Sequence, residues 1–173
     1  MDAIKMLKSG HKQAQKLLHE LVHDGPTGRK RAFERVADLL AAQAKLEERV
    51  FYPGVHVSAT EDMLLEALEM NLAIKRVIAD LMTCDEDDPT YRAKTNLLRE
   101  LVLQHQREEE KRIFPAVEEA IDADRLEEIG RDMETLMLDL ETSSPRQEVP
   151  LETDRAATLA EHFQGVIAEC HDS

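Results

Sequence analysis

The sequence has few of the residues that build strands and tight turns. Its 173 residues include only six Gly and six Pro, and β-branched residues rarely alternate with polar ones. Long windows are instead rich in Ala, Leu, Glu, Lys and Arg, which favour helices. The composition therefore predicts an all-α protein, and the length predicts a single domain with a substantial core.

Long hydrophobic runs are also missing. No stretch approaches the roughly 20 apolar residues that cross a bilayer, and the first residues enter a helical pattern without a charged-then-apolar leader. The only two cysteines, Cys84 and Cys170, lie far apart and outside any C-x-x-C motif. This arrangement favours free thiols in a reducing compartment. We therefore expect a cytoplasmic protein that does not contact a membrane.

Positive charge is scarce. The chain has 22 Lys and Arg against 36 Asp and Glu, for a formal net charge of -14. Surfaces that bind nucleic acid need clustered Lys and Arg to replace the counterions of phosphate, so this balance argues against a nucleic-acid partner. The acidic excess mainly serves solubility, and it is weakly compatible with attracting cations.

The sequence does contain strong helical periodicity, with apolar residues every three or four positions. Four helices of about 20 residues with short links predict an up-down-up-down four-helix bundle. They are predicted over Ala3 to His23, Arg29 to Tyr52, a third from Ser58 or Thr60 to before Asp85, and Thr90 to Phe114. Additional C-terminal helices follow, the first over Asp124 to Leu140.

The predicted domain organisation has three parts. The bundle with its fifth helix covers residues 1–142, a linker marked by Pro145 and Pro150 covers 143–152, and an amphipathic C-terminal helix covers 153–171. The last helix, Thr153 to Cys170, needs an apolar partner. That partner is the bundle itself, a second copy of the chain in a homodimer, or another protein.

Two stretches of the sequence are nearly the same. They run from Gln43 to Pro53 and from His105 to Pro115, and each has a carboxylate four residues after its first residue, at Glu47 and Glu109. Positions i and i+4 lie on one face of a helix, so each stretch directs two polar side chains to one point. Each stretch ends in an aromatic-proline pair, which predicts the end of its helix.

The repeat extends to the helices that precede these stretches. His11, Gln43 and Glu47 in the first half correspond to Asn71, His105 and Glu109 in the second. All six residues interrupt an apolar stripe, so the repeat places them at comparable depth in the bundle. Because a lone buried carboxylate is too costly, both glutamates must be protonated, paired or bound to a cation.

Four of these residues provide two imidazoles and two carboxylates: His11, Glu47, His105 and Glu109. This set suits iron, manganese or zinc and has too much nitrogen for magnesium or calcium. The amides of Gln43 and Asn71 are weaker candidates. The alternative is a hydrogen-bonded network without a metal, but convergence of four such residues from three helices favours the metal.

Three segments together resemble the hemerythrin-like HHE cation-binding family: Asp2 to His11, Glu47 to Pro53 and Leu101 to Pro115. The resemblance covers about Asp2 to Leu140. It implies a four-helix bundle around a non-haem di-iron centre, with one His from each of the first and third helices and a His-x-x-x-Glu from each of the second and fourth. It also implies binding of oxygen or nitric oxide, iron handling, or defence against oxidative stress.

The chain departs from the pattern of that family. Gln43 stands in place of the second-helix His, Asn71 in place of the third-helix His, and Gly10 in place of the acidic residue that usually precedes the first His. An amide is a much weaker ligand for iron than an imidazole. The substitutions leave one imidazole in each half of the repeat.

Three states of the site therefore stay open: a weakened di-iron centre, one ion held by the four candidate ligands, or no metal. The sequence favours one ion, with iron the expected metal.

Reversible oxygen carriage is not expected, because a two-electron change on oxygen requires two irons. We expect a sensor, scavenger or store rather than an enzyme, although iron with an open position could reduce peroxide. The alternative function is a metal-free bundle that serves as a protein-interaction module.

Two further groups of residues contain candidate metal ligands. His19-Glu-Leu-Val-His23 matches the H-E-x-x-H motif of zinc proteases. Helical geometry places His19 about 80° and His23 about 120° from the stripe through His11, so we expect both to face solvent. His162 would reach the site only if the last helix folded over it, and a surface position is the simpler expectation.

Overall fold

The computed structural model of the chain describes residues 1–23, 25 and 27–159. Within these ranges every regular element is a helix, which confirms the predicted all-α fold. The long helices are α1 (Ala3–His23), α2 (Arg29–Leu46), α3 (Glu61–Met82), α4 (Tyr91–Glu108) and α5 (Ala123–Glu141). A 3₁₀ helix follows over Pro145–Glu152, within the predicted linker.

Two of the helices continue through π-helical turns. The π-turn Glu47–Phe51 follows α2 and leads into a last turn, Tyr52–Gly54. The π-turn Glu109–Ile113 follows α4 and leads into a further helical segment, Phe114–Ala120. The prediction that the second aromatic-proline pair ends its helix is therefore wrong.

The π-turns explain how the helix tolerates its proline. Proline has no N–H, and its ring crowds the carbonyl four residues earlier, which disfavours regular α-helix. In both turns the N–H just before the proline bonds instead to the carbonyl five residues back, from Tyr52 to Glu47 and from Phe114 to Glu109. This wider turn lets the chain pass Pro115 without breaking.

Side chains near two loops fix where the next helix begins. Thr60, rather than Ser58, precedes α3, and its hydroxyl donates to the carbonyl of Val55 at 2.8 Å. The Asp122 carboxylate accepts a hydrogen bond from the N–H of Arg125 at 2.8 Å. It thereby satisfies one of the free N–H groups in the first turn of α5.

The four long helices that form the bundle pack in the predicted up-down-up-down order. α1 packs against α2 and α4, while α3 packs against α4 and, more lightly, α2. α5 lies outside the bundle against α1 and α2, and the 3₁₀ helix lies against α2 and α3. The bundle is thus covered on two sides by chain that follows it.

The apolar core is divided into two clusters. The first includes Leu7, Phe51, Leu68, Phe114 and Met133. The second includes Leu18, Val36, Ile78 and Leu98. Along each of the four helices the predicted polar positions fall between residues of the two clusters. Apolar packing therefore closes the polar region from both ends of the bundle.

The predicted C-terminal helix falls mostly outside the described residues, as do His162 and Cys170. Its first part, residues 153–158, is irregular, and the predicted domain boundaries stay a prediction. Among the described residues Cys84 has no disulfide partner, and Cys170 lies outside them. In the described part of the chain, no helix combines the length and apolarity needed to cross a bilayer.

Candidate metal centre

The six polar side chains of the repeat meet in the middle of the bundle. All are buried, with between 0% and 8% of their surface exposed. We call this set the polar layer. It consists of His11 on α1, Gln43 on α2, Asn71 on α3, His105 on α4, and Glu47 and Glu109 at the starts of the two π-turns.

The π-turns keep both glutamates directed into the bundle. Buried residues fall at Val36, Leu40, Gln43, Glu47, Phe51 and Val55, and again at Leu98, Val102, His105, Glu109, Ile113 and Val117. From Gln43 and from His105 onward each step is four residues. Four α-helical residues turn through about 400°, so successive steps of four would drift by about 40° each. The wider π-turns absorb this drift and keep the whole series facing inward.

Both imidazoles contact the carboxylate of Glu109. His11 Nε2 lies 3.2 Å from Glu109 Oε1, and His105 Nε2 lies 3.1 Å from the same oxygen. His105 Nε2 also lies 3.2 Å from Glu47 Oε2. Glu109 thus contacts both imidazoles, and His105 contacts both carboxylates.

The distances in this group suit a single ion. One ligand atom from each of His11, Glu47 and Glu109 lies within 4.8 Å of the other two. Nitrogen and oxygen ligands sit at about 2.0–2.2 Å from an ion such as zinc, so only a small contraction is needed. His105 adjoins Glu47 and Glu109 but is not among the three residues whose ligand atoms come this close together. The residues present therefore fit a transition-metal ion.

A hydroxyl and an amide hold the two carboxylates in place. The hydroxyl of Tyr52 lies 3.1 Å from Glu47 Oε2 and 3.2 Å from Glu109 Oε2, so it is placed to donate to either carboxylate. The amide of Asn71 donates to Glu47 Oε2 at 2.9 Å. Asn71 therefore directs its amide nitrogen at the carboxylate of Glu47, which is one of the predicted ligands.

The charges in the layer shift its pKa values strongly. Burial lowers the pKa of His105, but the charges of Glu109 and Glu47 outweigh burial and raise it well above its usual value. Burial raises the pKa of Glu109, yet the neighbouring imidazoles bring it far below its usual value. Burial and the charge of Glu109 raise the pKa of Glu47. Glu109 is thus the carboxylate held as an anion, and His105 its cationic partner.

Residues around the layer orient the imidazole of His11. His11 Nδ1 lies 2.7 Å from Glu110 Oε1. The ring also stacks on Phe114, with centroids 5.8 Å apart and planes 13° from parallel. A carboxylate on one ring nitrogen leaves the other nitrogen directed at the ligand position and makes it more basic.

Three residues of the site were missed by sequence reasoning: Tyr52, Glu110 and the buried Lys75. The repeat carried a signal for the first, because Tyr52 is a hydroxyl-bearing residue at the position where the second half has Phe114. Glu110 and Lys75 gave no such signal. Their roles depend on which side chain of another helix they face.

Gln43 is the one member of the layer that is not engaged with the carboxylates. Its Nε2 atom is buried and has no hydrogen-bond partner among the described residues. A Cβ atom at Gly10 would lie 2.6 Å from that nitrogen, so the missing side chain of Gly10 makes room for the amide. The layer also contains a cavity of about 20 Å³ that Gln43 borders, which is room for about one water molecule.

The H-E-x-x-H residues lie away from this centre, as predicted. His19 and His23 are exposed, and their rings stack on each other with centroids 4.0 Å apart. Within the described ranges, the one set of three potential ligands close enough to share an ion is His11, Glu47 and Glu109. The zinc-protease interpretation therefore has no geometric support.

Comparisons with known proteins agree with this architecture. A DNA nickase from Nostoc sp. is 23% identical over 129 residues, which are 74% of this chain and 37% of the nickase, so the chain spans little more than a third of that relative. The crystal structure of a hemerythrin HHE cation binding domain-containing protein from Mycobacterium kansasii superposes with a TM-score of 0.72 and 22% identity, covering 94% of this chain and 99% of the other. The family model for the hemerythrin HHE cation binding domain matches residues 2–117. The chain therefore belongs to the hemerythrin HHE cation-binding domain family.

Proposed function

We propose that this protein binds one non-haem metal ion through His11, Glu47, His105 and Glu109, with iron favoured over manganese and zinc. The observation that carries the proposal is the contact of two buried imidazoles with two buried carboxylates at 3.1 to 3.2 Å. Membership of a cation-binding family supports the same conclusion.

The amides of the layer favour one ion over two. Asn71 uses its N–H on Glu47, and Gln43 leans toward Gly10. Neither therefore replaces an imidazole as a strong ligand. Two imidazoles and two carboxylates are enough for one four-coordinate ion, whereas a pair of ions would share them.

When bound, such an ion would supply Lewis-acid and redox chemistry at a buried position. The chain itself orients and shields the site. Glu110 and Phe114 fix the orientation of the His11 ring. The hydroxyl of Tyr52 bridges the carboxylates of Glu47 and Glu109. The two apolar clusters exclude bulk water. We propose a role in iron, oxygen or nitric-oxide stress as sensor, scavenger or store, with oxygen or nitric oxide as the small ligand and the cytoplasm as the location.

We do not extend DNA nicking to this chain. The nickase is matched over 37% of its length, and a formal net charge of -14 opposes binding to phosphate.

A second candidate function is that of a metal-free bundle acting as an interaction module. It is favoured by one observation: the imidazoles, carboxylates, phenol and Asn71 amide of the layer already satisfy one another by hydrogen bonds and ion pairs. The two candidates differ in metal content, which can be measured directly.

The deciding experiment is elemental analysis of protein grown with iron and purified without a metal-affinity tag. We expect one iron per chain. Two irons per chain would defeat the proposal of a single ion. A metal content far below one ion per chain, unchanged after reconstitution with ferrous iron under anaerobic conditions, would favour the interaction module.

The ligand assignment is tested by a matched pair of histidine substitutions. We expect His105→Ala to abolish stoichiometric metal binding, because it removes one of two imidazoles and leaves Glu47 and Glu109 without their shared partner. His19→Ala is the control, since His19 is exposed and outside the layer. Metal retained at the wild-type level in His105→Ala would refute the assignment.

A further inference from the structure

Lys75 brings a buried positive charge to the edge of the polar layer. Only 5% of its surface is exposed. Its Nζ atom lies 2.8 Å from Glu48 Oε1 and 2.9 Å from Glu152 Oε2, so the ammonium is held between two carboxylates. Lys75 also lines the small cavity that His11, Glu47 and His105 line. Lys75 therefore lies at the edge of the layer, between the small cavity and the carboxylates of Glu48 and Glu152.

The internal repeat shows what Lys75 replaces. Glu48 in the first π-turn corresponds to Glu110 in the second, and Asn71 corresponds to His11. Glu110 contacts the imidazole of His11 at 2.7 Å. The equivalent pair does not form in the other half, because Asn71 donates to Glu47 and Glu48 faces Lys75 instead.

The charge at this position is specific to one half of the bundle. The repeat counterpart of Lys75 is Gln15, a neutral residue whose amide donates to Gln106 at 2.9 Å. In the first half of the repeat, the imidazole of His11 contacts a carboxylate and the position of Lys75 is held by a neutral amide. In the second half, the carboxylate of Glu48 pairs with the ammonium of Lys75 instead.

We propose that the Lys75 ammonium, held by Glu48 and Glu152, is a built-in cation that takes the place of a second metal ion and restricts the centre to one. This inference rests on the proposed single-metal function. The ammonium neutralises carboxylates that would otherwise need a cation, since an unpaired buried carboxylate is costly. It also repels a divalent ion approaching the same half, because two positive charges interact strongly in a poorly solvated site.

The test is to remove this charge while keeping a polar side chain that is only one atom shorter. In Lys75→Gln, Glu48 and Glu152 lose the ammonium that they share and become free oxygen donors at the edge of the layer. We expect the metal-free variant to bind two equivalents of Mn²⁺ per chain where the wild type binds one. Manganese is the probe because it accepts oxygen ligands readily, and free Mn²⁺ can be followed in a titration by electron paramagnetic resonance.

Two control variants separate the charge from the substitution itself. Lys75→Arg keeps the positive charge and should still bind one equivalent. Lys45→Gln removes another buried lysine, which pairs with Glu148 on the same 3₁₀ helix. Lys45 does not line the cavity of the polar layer, so this variant should also bind one equivalent. Two equivalents in the Lys45→Gln control would reduce the effect to general surface binding and overturn the inference.

The outcomes distinguish this inference from the function on which it rests. A wild type that binds no Mn²⁺, iron or zinc would defeat the proposed function. A wild type that binds one ion and a Lys75→Gln variant that also binds one would defeat the inference alone. If the variant is unfolded without metal, added Mn²⁺ should restore its helical circular dichroism. Failure to fold at saturating Mn²⁺ would contradict the inference, because the ion is expected to substitute for the ammonium.

Discussion

Tyr52 connects the two ligand carboxylates through a single hydroxyl. The hydroxyl is buried and lies 3.1 Å from Glu47 and 3.2 Å from Glu109. Burial and the two neighbouring carboxylates raise the pKa of Tyr52 well above its usual value, so the phenol stays protonated. The protonated phenol can therefore donate a hydrogen bond to Glu47 or Glu109 while the same carboxylate also contacts an imidazole or a metal ion.

We expect Tyr52→Phe to fold but to lose stability in the metal-free state. Deleting a donor to a buried carboxylate costs about 1–3 kcal/mol. The measurement is chemical unfolding of the metal-free protein. Tyr91→Phe is the control, because Tyr91 is buried at the start of α4, outside the polar layer. Equal stabilities for Tyr52→Phe and the wild type would show that the hydroxyl does not support the carboxylates.

The raised pKa of His105 predicts how the stability of the metal-free protein depends on pH. The imidazole binds its proton more tightly in the folded protein, owing to Glu109 and Glu47. Its contribution to the free energy of unfolding is therefore fully present below about pH 6.5, the unfolded pKa. It is lost as pH rises from there through the raised folded pKa.

Chemical unfolding of metal-free protein across this alkaline range measures the effect. The free energy of unfolding of the wild type should fall as pH rises. In His105→Gln it should fall less steeply with pH, because this variant has no imidazole at position 105 to lose a proton. Identical slopes for the two proteins would contradict the assignment of His105 as the protonated partner.

At the scale of elements, the π-turns are the feature that places the carboxylates. Steps of four between buried residues run from Gln43 to Val55 and from His105 to Val117. The sequence shows this spacing, but a regular α-helical period predicts a helix end at each aromatic-proline pair. The first of these two helices does end just after Pro53, whereas the second continues past Pro115 because a wider turn tolerates the proline.

We expect the spacing of the buried residues, rather than the proline, to maintain the second π-turn. Pro115→Ala restores a backbone N–H but leaves Glu109, Ile113 and Val117 on the same buried face. Metal stoichiometry should be unchanged, with the free energy of unfolding altered by no more than about 1 kcal/mol, as is usual where packing is kept. Loss of the metal from Pro115→Ala would show that the proline itself enforces the turn.

Element boundaries were predicted well where periodicity was long and ended in loop residues. α1 matches the predicted range from Ala3 to His23, and Thr60 precedes α3 as one of two expected residues. The 3₁₀ helix was less predictable. Its two prolines indicated a linker, whereas its carboxylates at Glu148 and Glu152 pair with buried lysines on α2 and α3. Such pairing depends on tertiary neighbours and leaves no periodic signal.

At the scale of the whole molecule, the metal is expected to add to a fold that is already closed. An ion that binds only the folded chain stabilises it by about 2.7 kcal/mol at a free concentration of 100 times Kd. For a chain of this size each kcal/mol raises Tm by about 2–4 °C. We therefore expect chelation to lower Tm by about 5–10 °C without unfolding the protein at room temperature.

Calorimetry of the metal-loaded and the chelator-treated protein checks this expectation. His105→Ala should have the same Tm with and without chelator. Complete unfolding of the wild type on chelation would mean that the two apolar clusters do not hold the bundle by themselves.

The polar layer lies between two apolar clusters, each of which joins residues from all four helices of the bundle or from the turns that continue them. Substitutions inside the polar layer therefore change the ligands that it offers without disrupting the apolar cluster on either side. A bundle built in this way can follow a path of ligand exchange, from two ions to one and from one to none, while both apolar clusters continue to hold the fold together. In this chain Gln43, Asn71 and Lys75 are consistent with a stage along such a path, in which the loss of one cation is balanced by a charge that the chain supplies itself.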